Sequence, residues 1–335
     1  MVTIKDVAKE AGVSIAAVSF AINGTGSLAE DTRKKIMDAV EKLNYRPNAA
    51  AKRLGSGKVN TIGLIMPQPG TEFFVFADFD ILSGIGVIAS KTGFNILLSW
   101  DMGKGKSNAL ELVRERQVRG LTFLLPSDDL ETFRTLNDLN FPFVLMSKPP
   151  EGLNCNWVDV DNMDAAYRAT LSFIKSGHRR IGFVSPGPME FLVSRERHAG
   201  YRQALLNHGI PYNEAYVFEG IGNLESGKKA MNQFAELADP PTAVLAGANM
   251  LALGIMERCS ELSLDSAQKP ALITFDNSPL ASNYNITAIE IPRGTIAREA
   301  TNLLIKKISQ PTRSEAESVV IPSEIVYRET FKPSP

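Results

Sequence analysis

The stretch Thr3-Ile4-Lys5-Asp6-Val7-Ala8-Lys9-Glu10-Ala11-Gly12-Val13-Ser14-Ile15-Ala16-Ala17-Val18-Ser19-Phe20-Ala21-Ile22-Asn23 reads as two short helices joined by a tight turn. Ile4, Val7, Ala8 and Ala11 fall at i, i+3, i+4 and i+7, which gives the first helix one apolar face. Gly12 ends it. Ser14 is placed to cap the second helix, its side-chain oxygen accepting from the first free backbone N–H groups. That helix offers Ala17, Val18, Ala21 and Ile22 to the same core. Two helices with a Gly-containing turn make a helix-turn-helix, whose second helix lies in the major groove with its N-terminal residues at base edges. Here those residues are Ile15, Ala16 and Phe20. The same pattern builds small bundles that touch no nucleic acid, so the rest of the chain has to decide.

Outward from that stretch, Glu30 to Leu43 reads as a third helix. Its acids lie in the first turn and Lys42 in the last, matching the helix dipole, and Ile36, Ala39, Val40 and Leu43 form the buried stripe. Asn44 suits the left-handed position that follows. Next, Asn48 can cap a short Ala-rich segment, Ala49 to Leu54, which Gly55 and Gly57 end. Met1 to Lys58 carries ten Lys plus Arg against six Asp plus Glu, a charge of +4 on a chain whose net charge is −1, so the remainder carries −5. A basic end on an acidic body favours phosphate contact by that end only.

Roughly 275 residues remain, enough for two compact domains with substantial cores. From Val59 onward short apolar runs alternate with helical ones. Ile62–Met66, Phe94–Trp100, Leu121–Leu125 and Phe143–Met146 are strand candidates, with amphipathic stretches at 81–91, 108–117 and 130–139 between them. A second series repeats the pattern, with strands at 180–184, 216–218, 242–246, 272–275 and 286–289 and helices near 164–176, 195–208, 226–237 and 250–261. The alternation predicts two similar halves, each a parallel sheet with helices on both faces.

Residues 1 to 25 hold no continuous apolar core of a signal peptide, and no run approaches a membrane span. A cytoplasmic location is expected. Cys155 and Cys259 lack metal-ligand spacing and are expected as free thiols. No G-x-G-x-x-G, Walker or G-x-S-x-G motif is present, and His178, His198 and His208 occupy ordinary positions. Neither catalysis, a cofactor nor a metal is expected.

The run from Thr3-Ile4-Lys5-Asp6-Val7-Ala8 through Ala11-Gly12-Val13-Ser14, Val18-Ser19, Ile22-Asn23-Gly24 and Tyr45-Arg46-Pro47-Asn48 to Ala51-Lys52-Arg53-Leu54 resembles the headpiece and hinge of LacI-family transcriptional regulators. Further landmarks follow at Val158–Asn162, Ser176–Ile181, Arg197–Tyr201, Ala252-Leu253-Gly254 and Phe275-Asp276. The resemblance implies a small all-α headpiece on an α/β core of two doubly wound parallel-sheet subdomains, like that of periplasmic binding proteins. It implies a headpiece over 1–46, a hinge helix and linker over 47–60, and discontinuous core halves at 61–161 plus 291–320 and 162–290 plus 321–335. It also implies that Ile15, Ala16 and Phe20 read bases, with Thr3, Ser14, Ser19, Asn23 and Tyr45 as further DNA contacts. Asn48, Ala51, Arg53 and Leu54 would lie in a hinge on the minor groove, Leu54 as the apolar wedge.

Where this chain has Phe20, family members often carry a hydrogen-bonding residue, and Ile15 and Ala16 are apolar too. Readout then leans on thymine methyls, unless Phe20 turns inward to pack the headpiece. The resemblance places a small-molecule effector between the core halves, with Arg197 and Asp276 gripping it. A guanidinium fork and a carboxylate suit a polyol. Phe73, Phe74 or Phe76 would stack on a sugar ring or pack the core. Asn249 stands where the family commonly has Asp, Ala248 where it has Asn, Gly222 where many members have an aromatic, and Ser147 or Lys148 where an acid often reaches the ligand. A sugar is the first expectation, a phosphorylated or acidic ligand pairing with Lys148 the second. The implied protein is an allosteric homodimer on pseudo-palindromic operator DNA. The rival is a solute-binding protein sharing the core, which has no use for Met1 to Lys58.

Overall fold

The computed structural model describes residues 2–23, 26–45, 59–67, 78–100, 108–124, 130–310 and 315–333. It divides into two compact units, Met1–Val59 and Asn60–Pro335.

In the first unit, α1 (Ile4–Ala11), α2 (Ile15–Asn23) and α3 (Glu30–Lys42) enclose one core. Val7, Val18 and Ile36 are fully buried at its centre, with Ala8, Ala21, Ala39 and Tyr45 around them. The local signals work as the sequence suggests. Gly12 closes α1 in the left-handed region at φ 66°, a conformation its missing Cβ allows. The Ser14 hydroxyl accepts from the Ala17 N–H at 3.2 Å, and Asn44 turns left-handed after α3 at φ 45°. One further cap is present: the backbone N–H and hydroxyl of Thr3 both donate to Asp6 Oδ2 at 2.8 Å, which holds the Asp6 carboxyl below its ordinary value.

The second unit alternates strand and helix: β1 (Thr61–Met66), α4 (Asp78–Thr92), β2 (Asn95–Trp100), α5 (Asn108–Arg114), β3 (Leu121–Phe123), α6 (Leu130–Asp138), β4 (Phe143–Leu145), β5 (Asn156–Val160), α7 (Asn162–Lys175), β6 (Ile181–Ser185), α8 (Leu192–Asn207), β7 (Val217–Glu219), α9 (Leu224–Ala235), β8 (Ala243–Ala246), α10 (Asn249–Glu261), β9 (Ala271–Phe275), α11 (Pro279–Asn283), β10 (Thr287–Ile289), α12 (Arg293–Ser309), β11 (Ser318–Ile321) and β12 (Ile325–Val326). They build two sheets, ordered β11-β5-β4-β3-β1-β2 and β12-β10-β9-β8-β6-β7. Every pairing is parallel except β10 with β12. Central strands such as β1, β6 and β8 are buried along their whole length, as a sheet covered on both faces requires.

The chain passes between the halves three times: from Val160 to Asn162, from Ile289 to Arg293, and from Ile321 to Ile325. The second and third passages run side by side, the Glu290 N–H donating to Glu324 O at 2.7 Å. Strand β5 and helix α12 were absent from the expected series. Helix α12 packs on α4 and on β3, β4 and β5, and its buried stripe includes Ala297, Ala300 and Thr301, small residues that blunt an apolar pattern. None of the described helices is long and apolar enough to cross a membrane.

Helix pairs approach closely where glycine removes the side chain. At Gly200 of α8 a Cβ would run into the Met163 carbonyl of α7 and lie 2.9 Å from Tyr167 N. Both obstacles are backbone. Gly200→Ala is therefore expected to push α8 off α7 and lower unfolding stability by about 1–3 kcal/mol, read as a lower urea midpoint. An unchanged midpoint would mean that the two helices have slack.

Candidate functional site

The headpiece leaves one face of α2 uncovered. Val18 and Ala21 point into the core, whereas Ile15 is 44% exposed, Phe20 43% exposed, and Ala16 open to solvent between them. Phe20 does not belong to the core cluster. Its ring instead lies against Gly26, where a Cβ would sit 3.0 Å from ring carbons. Thr3 and Ser14 are also exposed, Ser19 half-buried. Tyr45 is different: at 9% exposure it is part of the headpiece core, so its ring is not on the open face with Ile15 and Phe20. The Asn23 side chain, and Asn48, Ala51, Arg53 and Leu54, lie outside the described residues.

In the second unit a cavity of about 740 Å³ opens at the C-terminal ends of the strands, where ligands of doubly wound sheets bind. Asn223, Glu225, Asn249, Asp276, Asn277, Ser278, Glu290 and Arg293 supply polar groups, and Leu224, Pro279, Ile291 and Pro292 apolar surface. A smaller cavity of about 60 Å³ is lined by Ser147, Asp159, Asn162, Val193 and Arg197, and shares Ile291 and Arg293 with the larger one. Four helices, α9, α10, α11 and α12, begin at the large cavity, so the sequence carries its polar residues in the caps and first turns after β7, β8, β9 and β10.

Several of these polar groups are fixed by neighbours. Asp276 sits left-handed at φ 72° just after β9, and its Oδ1 accepts from Arg293 Nη2 at 2.6 Å. Asn249 donates to Ser278 Oγ at 2.8 Å. Asn277 donates to Glu290 and accepts from Arg328. Arg197 is buried at 5% exposure: Nε donates to Asn162 Oδ1 at 2.9 Å, Nη1 to Gly247 O at 2.7 Å, and the guanidinium lies 3.7 Å over the Phe275 ring. Burial pulls its pKa down to about 10, leaving it charged at neutral pH. Among the described residues, the Ser147 hydroxyl is the buried polar side-chain atom that has no hydrogen-bond partner.

Which of Ser147 and Lys148 faces the cleft was open from sequence. Ser147 lines the small cavity, while Lys148 reaches Glu196 Oε1 at 2.7 Å. Arg197 and Ser147 thus share the small cavity, and Asp276 and Asn249 the large one. Phe73, Phe74 and Phe76 lie outside the described residues. Glu225, Glu290 and Arg293 were missed; the helix starts after β7 and β10 were the signal that placed them. The histidines hold local partners: Thr242 for His178, Tyr212 for His198 and the Ala204 carbonyl for His208. Cys155 and Cys259 are unpaired and buried, their pKa values pushed up to about 12 and about 11.

Asp159, at the end of β5, accepts from the backbone N–H groups of Lys148 and Val160. Burial outweighs those bonds and lifts its pKa from 3.8 to about 6. A carboxyl whose native pKa is raised binds more protons folded than unfolded between those values, so its contribution to stability falls as pH rises through that window. Asp159→Asn is expected to flatten that decline relative to the unmodified protein in urea unfolding across the window. Parallel curves for the two proteins would show that Asp159 is solvated.

Comparison with known proteins agrees with both units. Residues 3–48 match the family described as bacterial regulatory proteins, lacI family, and residues 171–331 match the periplasmic binding protein-like domain. Catabolite control protein A of Priestia megaterium is 32% identical over 99% of both chains. The solved complex of the transcriptional regulator CelR with cellobiose aligns with 99% of this chain and 100% of its own, at 28% identity and TM-score 0.74. The lac repressor dimer bound to operator and the anti-inducer ONPF aligns over 98% of both chains with TM-score 0.86 at 24% identity, a likeness of fold. With a relative above 30% identity across its full length, a lacI-type headpiece and this two-sheet core, the chain belongs to the LacI family of bacterial regulatory proteins.

Proposed function

We propose that the protein is a sequence-specific transcriptional repressor whose operator affinity is set by a small polyhydroxylated molecule held between the two sheets of its core. One observation carries the DNA half of this reading: α2 exposes Ile15, Ala16 and Phe20 on one face while its other face is buried. Apolar side chains in a major groove read thymine methyls, and the basic headpiece supplies phosphate contacts. Segment 47–60, with Asn48, Ala51, Arg53 and Leu54, acts as the hinge on the minor groove.

The effector half rests on the cavity. Its size suits a mono- or disaccharide, and its carboxylates, amides and guanidinium form fixed donor and acceptor forks beside apolar surface. With Lys148 engaged by Glu196, the cation that favoured an acidic ligand is already neutralised. A neutral sugar is therefore the preferred class, in keeping with the relative solved with cellobiose. Pairing into a homodimer is supported by β2, an edge strand whose Ile96, Leu98 and Trp100 lie on one face at 36–41% exposure.

The test is a fluorescence titration of the protein onto duplexes selected from a random library, at physiological salt, with and without neutral sugars and sugar phosphates. Tight, competitor-resistant binding altered by a neutral sugar is the expected result; a response to phosphates alone would replace the ligand class. Phe20→Ala is expected to change base preference while lowering headpiece stability by less than about 1 kcal/mol, since the ring lies outside the core. The reverse pattern would remove Phe20 from readout. Ala51→Pro is expected to abolish tight specific binding and leave effector binding intact; retained operator affinity would contradict the hinge role.

A further inference from the structure

Two ion pairs join the core halves among the described residues. Arg293–Asp276, at 2.6 Å, sits on the second passage of the chain itself, where Arg293 follows Pro292 and the crossing peptide. It moves with that passage. Lys148–Glu196 is different. Lys148 follows β4 of the first sheet, whereas Glu196 is on α8, packed against the second, and 48 residues of chain separate them.

The pair is built rather than incidental. The stem of Lys148 is anchored because its backbone N–H donates to the buried Asp159 carboxylate at 3.0 Å. Glu196 is only 14% exposed and its neighbour Arg197 is fixed by Asn162, Gly247 and Phe275, so the carboxylate is presented from a rigid turn of α8. The charged groups facing Lys148 from the packed elements are Glu196 on α8, Asp159 on β5 and Asp161 at the start of α7, all attractive. The hydrogen bond to Glu196 raises the Lys148 pKa, so the ammonium stays charged through neutral pH.

We propose that Lys148 and Glu196 form an internal strut that holds the two halves together beside the cleft in the absence of any ligand, so that the resting state of the switch is set by this pair. The proposal rests on the reading of the cleft as the regulatory site. The two halves meet at three passages of chain and a shared apolar cluster, and the Lys148–Glu196 pair lies outside both. A contact made in one arrangement and lost in the other biases the equilibrium by its differential energy. An effector that opens the cleft has to break the strut, and one that closes it finds the closure already favoured. Because Lys148 is half-exposed, salt weakens the strut.

The experiment measures the distance between spin labels on cysteines replacing the exposed Lys91 of α4 and Lys229 of α9, one in each half, in full-length effector-free protein diluted with unlabelled protein. The native cysteines are buried and stay unlabelled. Lys148→Met and Glu196→Gln are each expected to shift the distribution to longer distances, and the double variant no further than either single one. Raising salt in the unmutated protein should shift it in the same direction, a measurement that needs no variant. A distribution unmoved by either substitution and by salt overturns the strut, as do two single shifts that add in the double variant. Operator affinity of the same samples is expected to change by about fivefold or more. A changed distance with constant operator affinity would uphold the strut and overturn the reading of the cleft as the regulatory site.

Discussion

Arg197 is the constraint on which the cleft depends. A guanidinium at 5% exposure is tolerable only where dipoles and charges replace water, and its partners come from separate parts of the second half: Asn162 at the start of α7, Gly247 after β8 and Phe275 at the end of β9. Removing any partner leaves a buried charge under-satisfied, so the strand ends are tied to one another through α8. Asp276 follows Phe275 directly, in a left-handed conformation that aims its carboxylate at Arg293. The geometry of the small cavity therefore follows from how one buried cation is accommodated, and the large cavity shares Ile291 and Arg293 with it.

Each half is itself tightly packed. Close helix contacts at Gly200, and at Gly227 against Leu251 of α10, leave no room for α7 and α8, or α9 and α10, to slide. Between the halves the contacts are mixed: one buried apolar cluster continues from the first half into the second through Val160, Ile291 and Ile321, beside the hydrogen bond from Glu290 to Glu324 and ion pairs partly open to water. Two densely packed halves joined at crossing chain segments are the arrangement from which, on the proposed function, a ligand would select. Arg168 reinforces this hinge from α7, donating to both the carbonyl and hydroxyl of Ser323 in the third passage.

Legibility in the sequence followed the physics of each element. The headpiece was readable because its signals are local: apolar spacing, Gly12, the Ser14 cap and Asn44 act within a few residues. Tyr45 was not, because its place in the core depends on how α3 returns to α1, which no local pattern encodes. The repeated strand and helix series was readable from apolar runs, while α12 escaped because its buried stripe is small and partly polar. In the cleft, Arg197, Asp276 and Asn249 were reached through family resemblance, but their hydrogen-bond partners were not. Ser147 and Lys148 differ by one residue at a strand end, where a single step reverses which side chain faces inward. Only the three-dimensional register separates the buried hydroxyl from the lysine paired with Glu196.

The division of charge and apolar surface between the units has a further consequence. The exposed side chains of Ile15, Ala16 and Phe20 carry no hydrogen-bond donors or acceptors, so on the proposed function this face would discriminate bases by shape and methyl contact, each worth less than a bidentate hydrogen bond. On that proposal affinity would come from phosphates and from joining two headpieces, which multiplies weak half-site binding through effective concentration. A repressor built this way is sensitive to anything that changes how its headpieces are held together. On the proposed function the core supplies that lever, with its cleft where the strands end. On that reading, weak readout by each headpiece is complementary to a regulated core, because modest differences in cleft energy would suffice to move operator occupancy when no single headpiece binds tightly alone.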